Sequence, residues 1–123
     1  MRRSLFTSTI VLAALGLAAF ASVPEAHAAD CLANVKSKNS NTPVKVTFVN
    51  KSGEFRGVMW ADFNGKLVAY ANLQPGQSYT VNTFATHPWI FTDGPGNCVK
   101  MWVARKGVSK FNITAKASGS GGD

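Results

Sequence analysis

The segment Thr83-Phe84-Ala85-Thr86-His87-Pro88-Trp89 sets two polar groups beside large aromatic rings. A threonine hydroxyl donates or accepts a hydrogen bond, and a neutral histidine offers one of each. Trp60 and Tyr70 lie upstream in segments of strand-like pattern. A pocket for a small ring bearing one hydroxyl needs this set: a donor and an acceptor for the hydroxyl, and aromatic walls for the apolar ring faces. Such a site rejects the analogue that lacks the hydroxyl, because its own polar groups are then left unpaired. The same residues have a purely structural reading, with Trp60, Phe63 and Trp89 as core and His87 as a satisfied buried histidine. Trp102, in an apolar stretch, reads as core.

Catalysis and metal binding find little support. Once the N-terminal segment is set aside, the chain offers one histidine and five scattered acids. Asp62 and Asp93 alone fall near the aromatic cluster, each where a turn or strand end uses an aspartate. No nucleophile, base and orienting group stand together, and one histidine with two cysteines does not make a metal site. The expectation is a non-enzyme with no cofactor and no metal.

The elements that hold the cluster begin after an export signal. Arg2 and Arg3 form a positive start, Phe6 to Phe20 is apolar and rich in Ala and Leu, and Ala26-His27-Ala28 fits the small-x-small rule. Residues 1–28 therefore read as a bacterial-type signal peptide cut after Ala28. The apolar run is too short for a confident membrane span, so no stable membrane insertion is expected and the product is secreted or periplasmic. Cleavage leaves 95 residues, enough for one core. Cys31 and Cys98, the only cysteines, are expected to pair in that oxidising setting. The full chain carries 13 basic and 6 acidic side chains. The bases are scattered rather than blocked, which reads as a hydrated surface. Charge alone favours nucleic acid and export opposes it, so no nucleic-acid partner is expected. Asn50-Lys51-Ser52 and Asn112-Ile113-Thr114 match glycosylation sequons and carry no weight under a bacterial signal.

Turn signals recur through the remainder, as in an all-β sandwich or barrel. Val44 to Asn50 alternates, with Val44, Val46 and Phe48 on one face. Phe55 to Asp62 follows, with Val58 and Trp60 on one face. Asn64-Gly65 marks a hairpin in which both residues tolerate positive φ. Lys66 to Asn72 returns, with Leu67, Ala69 and Ala71 on one face and Val68 and Tyr70 on the other. Pro75-Gly76 suits a type II turn. Ser78 to Phe84, Trp89 to Thr92, Cys98 to Ala104 and Val108 to Ala115 complete about seven strands. Asp93 to Asn97 reads as loop. The parsing is a signal at 1–28, an N-terminal segment and linker at 29–43, a β domain at 44–115 and a flexible tail at 116–123.

Phe48-Val-Asn50-Lys-Ser52, Trp60-Ala-Asp-Phe63-Asn-Gly65, Tyr70, Leu73-Gln-Pro75-Gly76 and Thr83-Phe84-Ala-Thr-His87-Pro-Trp89-Ile-Phe91-Thr-Asp93 follow one another in order. Together they resemble the β domain of the von Hippel–Lindau (VHL) tumour suppressor family over residues 47 to 93, without a gap. The resemblance implies a seven-stranded β-sandwich. It also implies a site for 4-hydroxyproline in an extended peptide. In that reading Thr83, standing where the family has serine, and His87 bond the ring hydroxyl. Trp89 packs on the ring, Trp60 and Tyr70 complete the walls, and the Tyr70 hydroxyl meets the peptide backbone. Three positions depart from the family. Phe84 replaces a tyrosine that contacts ligand, Pro88 follows His87, and Thr83 adds a methyl group. Nothing after Ala115 corresponds to the helical domain by which the eukaryotic member recruits a ubiquitin ligase.

The expected function is a secreted module that binds hydroxyproline-containing peptide or protein through Trp60, Tyr70, Thr83, Phe84, His87 and Trp89. Two alternatives use the same scaffold. One is an envelope interaction or inhibitor protein working through the Asp93–Asn97 loop. The other is a carbohydrate-binding module stacking sugars on Trp60 or Trp89. No motif names a natural ligand or an oligomeric state.

Overall fold

A computed structural model describes Cys31 and residues 33–117. The signal at 1–28 and the tail from Ser118 to Asp123 lie outside the described residues. Seven strands form: β1 (Pro43–Asn50), β2 (Arg56–Ala61), β3 (Leu67–Leu73), β4 (Ser78–Phe84), β5 (Pro88–Thr92), β6 (Cys98–Val103) and β7 (Lys110–Ile113). They make two sheets, ordered β4-β1-β7 and β3-β2-β5-β6. All pairings are antiparallel except β1 with β7, which is parallel.

The alternation in β1 acts as its sequence predicts. Val44, Val46 and Phe48 are buried, while Lys45 is exposed. Phe48 is the hub between the sheets. Its ring lies 5.4 Å from Trp89, 5.0 Å from Phe91 and 5.8 Å from Trp102, and Phe111 of β7 stacks on Phe91 and Trp102. Each such ring contributes roughly 1.5–3 kcal/mol on burial. Trp102 is core, as expected. Phe63 is not. It stands exposed in the β2–β3 turn, because the chain leaves the sheet at Asp62.

The β2–β3 turn also differs from the two-residue hairpin expected at Asn64-Gly65. It is longer, closed by Asp62 N–H donating to the Lys66 carbonyl. The Asp62 carboxylate accepts from the amides of Asn64 and Lys66, and Gly65 is left-handed while Asn64 is not. Pro75-Gly76 forms the expected turn, with Gly76 left-handed and Gln77 N–H donating to Gln74.

Two buried polar clusters account for sequence features outside the aromatic cluster. Asn50 is fully buried. Its amide donates to the carbonyls of Glu54 and Leu73, and its oxygen accepts from the amide and hydroxyl of Ser52. The Asn-x-Ser spacing is thus a clamp on the β1–β2 loop. Arg56, read from sequence as one of the scattered surface bases, is buried. It pairs with Glu54 at 2.7 Å and reaches the carbonyls of Phe55 and Ala115.

Residues 33–42 form an irregular strap. Its hydrogen bonds tie it to the body: Ser37 to the carbonyls of Ala61 and Asp62, and Ala85 N–H to Thr42. Its start is pinned by a disulfide between Cys31 and Cys98, the pairing expected from the sequence. The strap passes beside Ile90, which points to the outer face of its sheet. This explains why all five residues of β5 are buried.

Candidate functional site

The sequence places Thr83 near the end of β4, on the inward side that Tyr79 and Val81 continue into the core. Trp89, the second residue of β5, faces it. The indole N–H of Trp89 donates to Thr83 Oγ1 at 3.2 Å. That bond takes one of the two lone pairs of Oγ1 and leaves the hydroxyl proton available to a ligand.

His87 reaches the same place through a tight turn. His87 N–H donates to the Phe84 carbonyl at 3.2 Å, and Thr86 sits between them with φ of 78°. A β-branched residue in the left-handed region is strained by about 1–3 kcal/mol. Three contacts hold it there: Thr86 N–H to Ala104, Thr86 Oγ1 to Lys38, and Ala104 N–H back to His87. The strain fixes the point at which His87 leaves the backbone.

The His87 ring lies 5.7 Å from Trp60, 5.3 Å from Phe63 and 5.7 Å from Phe84. Burial pushes its pKa below the ordinary 6.5, and a hydrogen bond with the Lys38 backbone opposes that shift. A ring nitrogen that donates to a carbonyl leaves the other, in the neutral ring, as an acceptor. Thr83 and His87 can therefore present both a donor and an acceptor to one hydroxyl.

Tyr70 arrives by a different route from the simple alternation expected. Val58 pairs with Ala71 but Met59 pairs with Ala69, so Tyr70 is the extra residue of a β-bulge. Trp60 then pairs with Val68, and Ala71 packs on the core instead of sharing a face with Leu67 and Ala69. The bulge brings the Tyr70 ring to 5.0 Å from Trp89 and 6.3 Å from Trp60. A bulge is not legible in a period-two pattern.

All six residues expected from sequence line one cleft of about 470 Å³. Thr83, His87 and Trp89, at 5%, 6% and 2% exposure, form its floor, while Tyr70, Phe84 and Phe63, at 42%, 41% and 47%, stand at its rim. Sequence reasoning missed the remaining wall, made by Asn39, Ser40, Asn41 and Asn82. Asn82 could have been found from its place beside Thr83. The strap residues carry no periodic signal. The Asp93–Asn97 loop takes no part in the cleft; the Asp93 carboxylate folds it internally by accepting from Gly96 and Asn97.

Among the described residues, no cluster of His, Cys, Asp or Glu is placed to hold a metal ion, and no helix is long and apolar enough to cross a membrane. The family model for the VHL beta domain matches residues 35–108, from the strap to the loop before β7. With more than half of its length matched and seven strands in two sheets, the chain belongs to the VHL beta-domain family.

Proposed function

We propose that this domain is a secreted, non-catalytic module that binds extended peptide containing 4-hydroxyproline. The family supports a module for protein or peptide. One observation carries the finer reading: the Thr83 hydroxyl, which accepts from the Trp89 indole, and the buried His87 ring lie together on the floor of a cleft with aromatic walls. The ring hydroxyl accepts from Thr83 and donates to His87, while Trp89, Tyr70 and Trp60 enclose the apolar ring. The cleft is larger than one such ring and lies within the size range of small-ligand sites, which leaves room for the flanking chain.

The edge of β4 suits that chain. β4 pairs only with β1 among the described strands. Ala85 N–H and Asn50 N–H mark the bonded positions of the β1–β4 ladder, so the alternating backbone groups of Asn82 face away from β1, beside the cleft. An extended, proline-rich segment loses little entropy on docking there.

Calorimetric titration with a short hydroxyproline peptide and its matched proline control tests the reading. The expected result is binding weaker by about a hundredfold or more for the proline peptide. Thr83→Ala and His87→Ala should each weaken the hydroxyproline complex by about tenfold or more. Equal affinity for the two peptides, or none for either in folded oxidised protein, rejects it. The amides of Asn39, Asn41 and Asn82 favour one second reading, in which the cleft takes a sugar. Displacement of the peptide by free monosaccharide would mark that case.

A further inference from the structure

A second groove of about 470 Å³, lined by an earlier part of the strap, shares no lining residue with the cleft. Pro88, Met101 and Val103 make its apolar floor, and Val35, Lys36 and Lys38 of the strap flank it. Val103 is 43% exposed, at the end of β6. β6 is an edge strand, paired with β5 alone among the described strands.

The backbone register decides which groups this edge offers. Ala104 N–H donates to His87, toward the β5 side. Alternation along an antiparallel ladder then turns Trp102 toward β5 and the backbone N–H and C=O of Met101 and Val103 outward. Met101 and Val103 also pair with Ile90 and Pro88, which fixes their side chains on the outer face, where the groove is. Open hydrogen-bonding groups and an apolar groove thus come from the same two residues.

Charge says what fits. Lys36 and Lys38 are exposed at the groove, and Arg105 and Lys106 are exposed just beyond β6. The three described carboxylates lie elsewhere. Glu54 pairs with Arg56, Asp62 caps the β2–β3 turn, and Asp93 folds its own loop. A second copy of this chain would bring the same bases against themselves across a symmetric edge, which counts against self-pairing.

We infer that the β6 edge and its groove form a second docking surface, for an extended acidic peptide that adds as a strand beyond β6. Its backbone pairs with Met101 and Val103, alternate apolar side chains enter the groove, and its carboxylates face Lys36 and Lys38. The surface is separate from the Thr83–His87 cleft.

The probe is a short peptide alternating valine with glutamate, titrated into the mature oxidised protein and followed by backbone amide shifts and hydrogen exchange. The expected result is shift changes and slowed exchange at Met101 and Val103, weakened by added salt. A peptide with lysine in place of glutamate should give neither. Lys36→Glu and Val103→Asp, both at exposed or groove-edge positions that leave the core intact, should each weaken binding by about tenfold or more. Unchanged β6 amides, equal binding of the lysine peptide, or changes confined to the cleft around His87 would overturn the inference. So would protection that rises with protein concentration without peptide, which would mark the edge as a self-association surface.

Discussion

At the residue scale, His87 sets the conditions under which the cleft works. Its imidazole is held neutral by burial, with a pKa below 6.5. Protonation would turn its acceptor nitrogen into a donor, and the ring could then no longer accept from the hydroxyl of a ligand. Affinity for a hydroxyproline peptide should therefore hold near neutral pH and fall as pH drops through the lowered folded pKa. Titration of the His87 ring signals by NMR, beside calorimetry over the same range, checks this; a His87 midpoint at or above 6.5 would contradict it. The same shift acts on stability. Between the folded pKa and 6.5 the unfolded chain binds more protons, so the contribution is complete above about pH 6.5 and is lost as pH falls. These two residues were legible in sequence because their chemistry is carried by type: a hydroxyl and an imidazole four positions apart, with tryptophan close by. Their polarity was not legible. Which of the two donates depends on the Trp89 indole and the Lys38 carbonyl, partners 6 and 49 residues from them in the chain.

At the element scale, the strands were readable where one face is buried and the other wet, as in β1. They were less readable where neighbours alter the rule. The bulge in β3 shifts Tyr70 into the cleft and breaks the expected faces. β7 is shorter than the run Val108–Ala115, since only Lys110–Ile113 finds a partner in β1. Close approach between strands also leaves a mark. A Cβ on Gly57 would lie 2.4 Å from Thr92 Oγ1 across the β2–β5 pairing. Gly57→Ala should thus push the two strands apart and cost about 1–3 kcal/mol, as overpacking does. Urea unfolding of the variant measures it, and an unchanged midpoint would show that Thr92 can turn aside.

At the scale of the whole molecule, the disulfide joins Cys31 to the start of β6, a sequence separation of 67. The chain-entropy argument gives about 4 kcal/mol for a closure of that length, an upper value. Cys31→Ser with Cys98→Ser should lower the unfolding free energy toward that amount. It should also loosen the strap, seen as faster exchange at Ser37 N–H, whose bond to Asp62 holds the strap down. Two-sheet architecture was foreseen from turn spacing and family likeness, but strand order was not, because pairing between distant strands leaves no local trace. The β1–β7 pairing has a consequence for how the molecule is made. β1 emerges from the ribosome first, yet it is the middle strand of its sheet, and its parallel partner emerges last. Loop closure over such a distance is slow and cannot begin before the last strand exists. The β4-β1-β7 sheet consequently stays incomplete until β7 has been made, while β2, β3, β5 and β6 can pair before it.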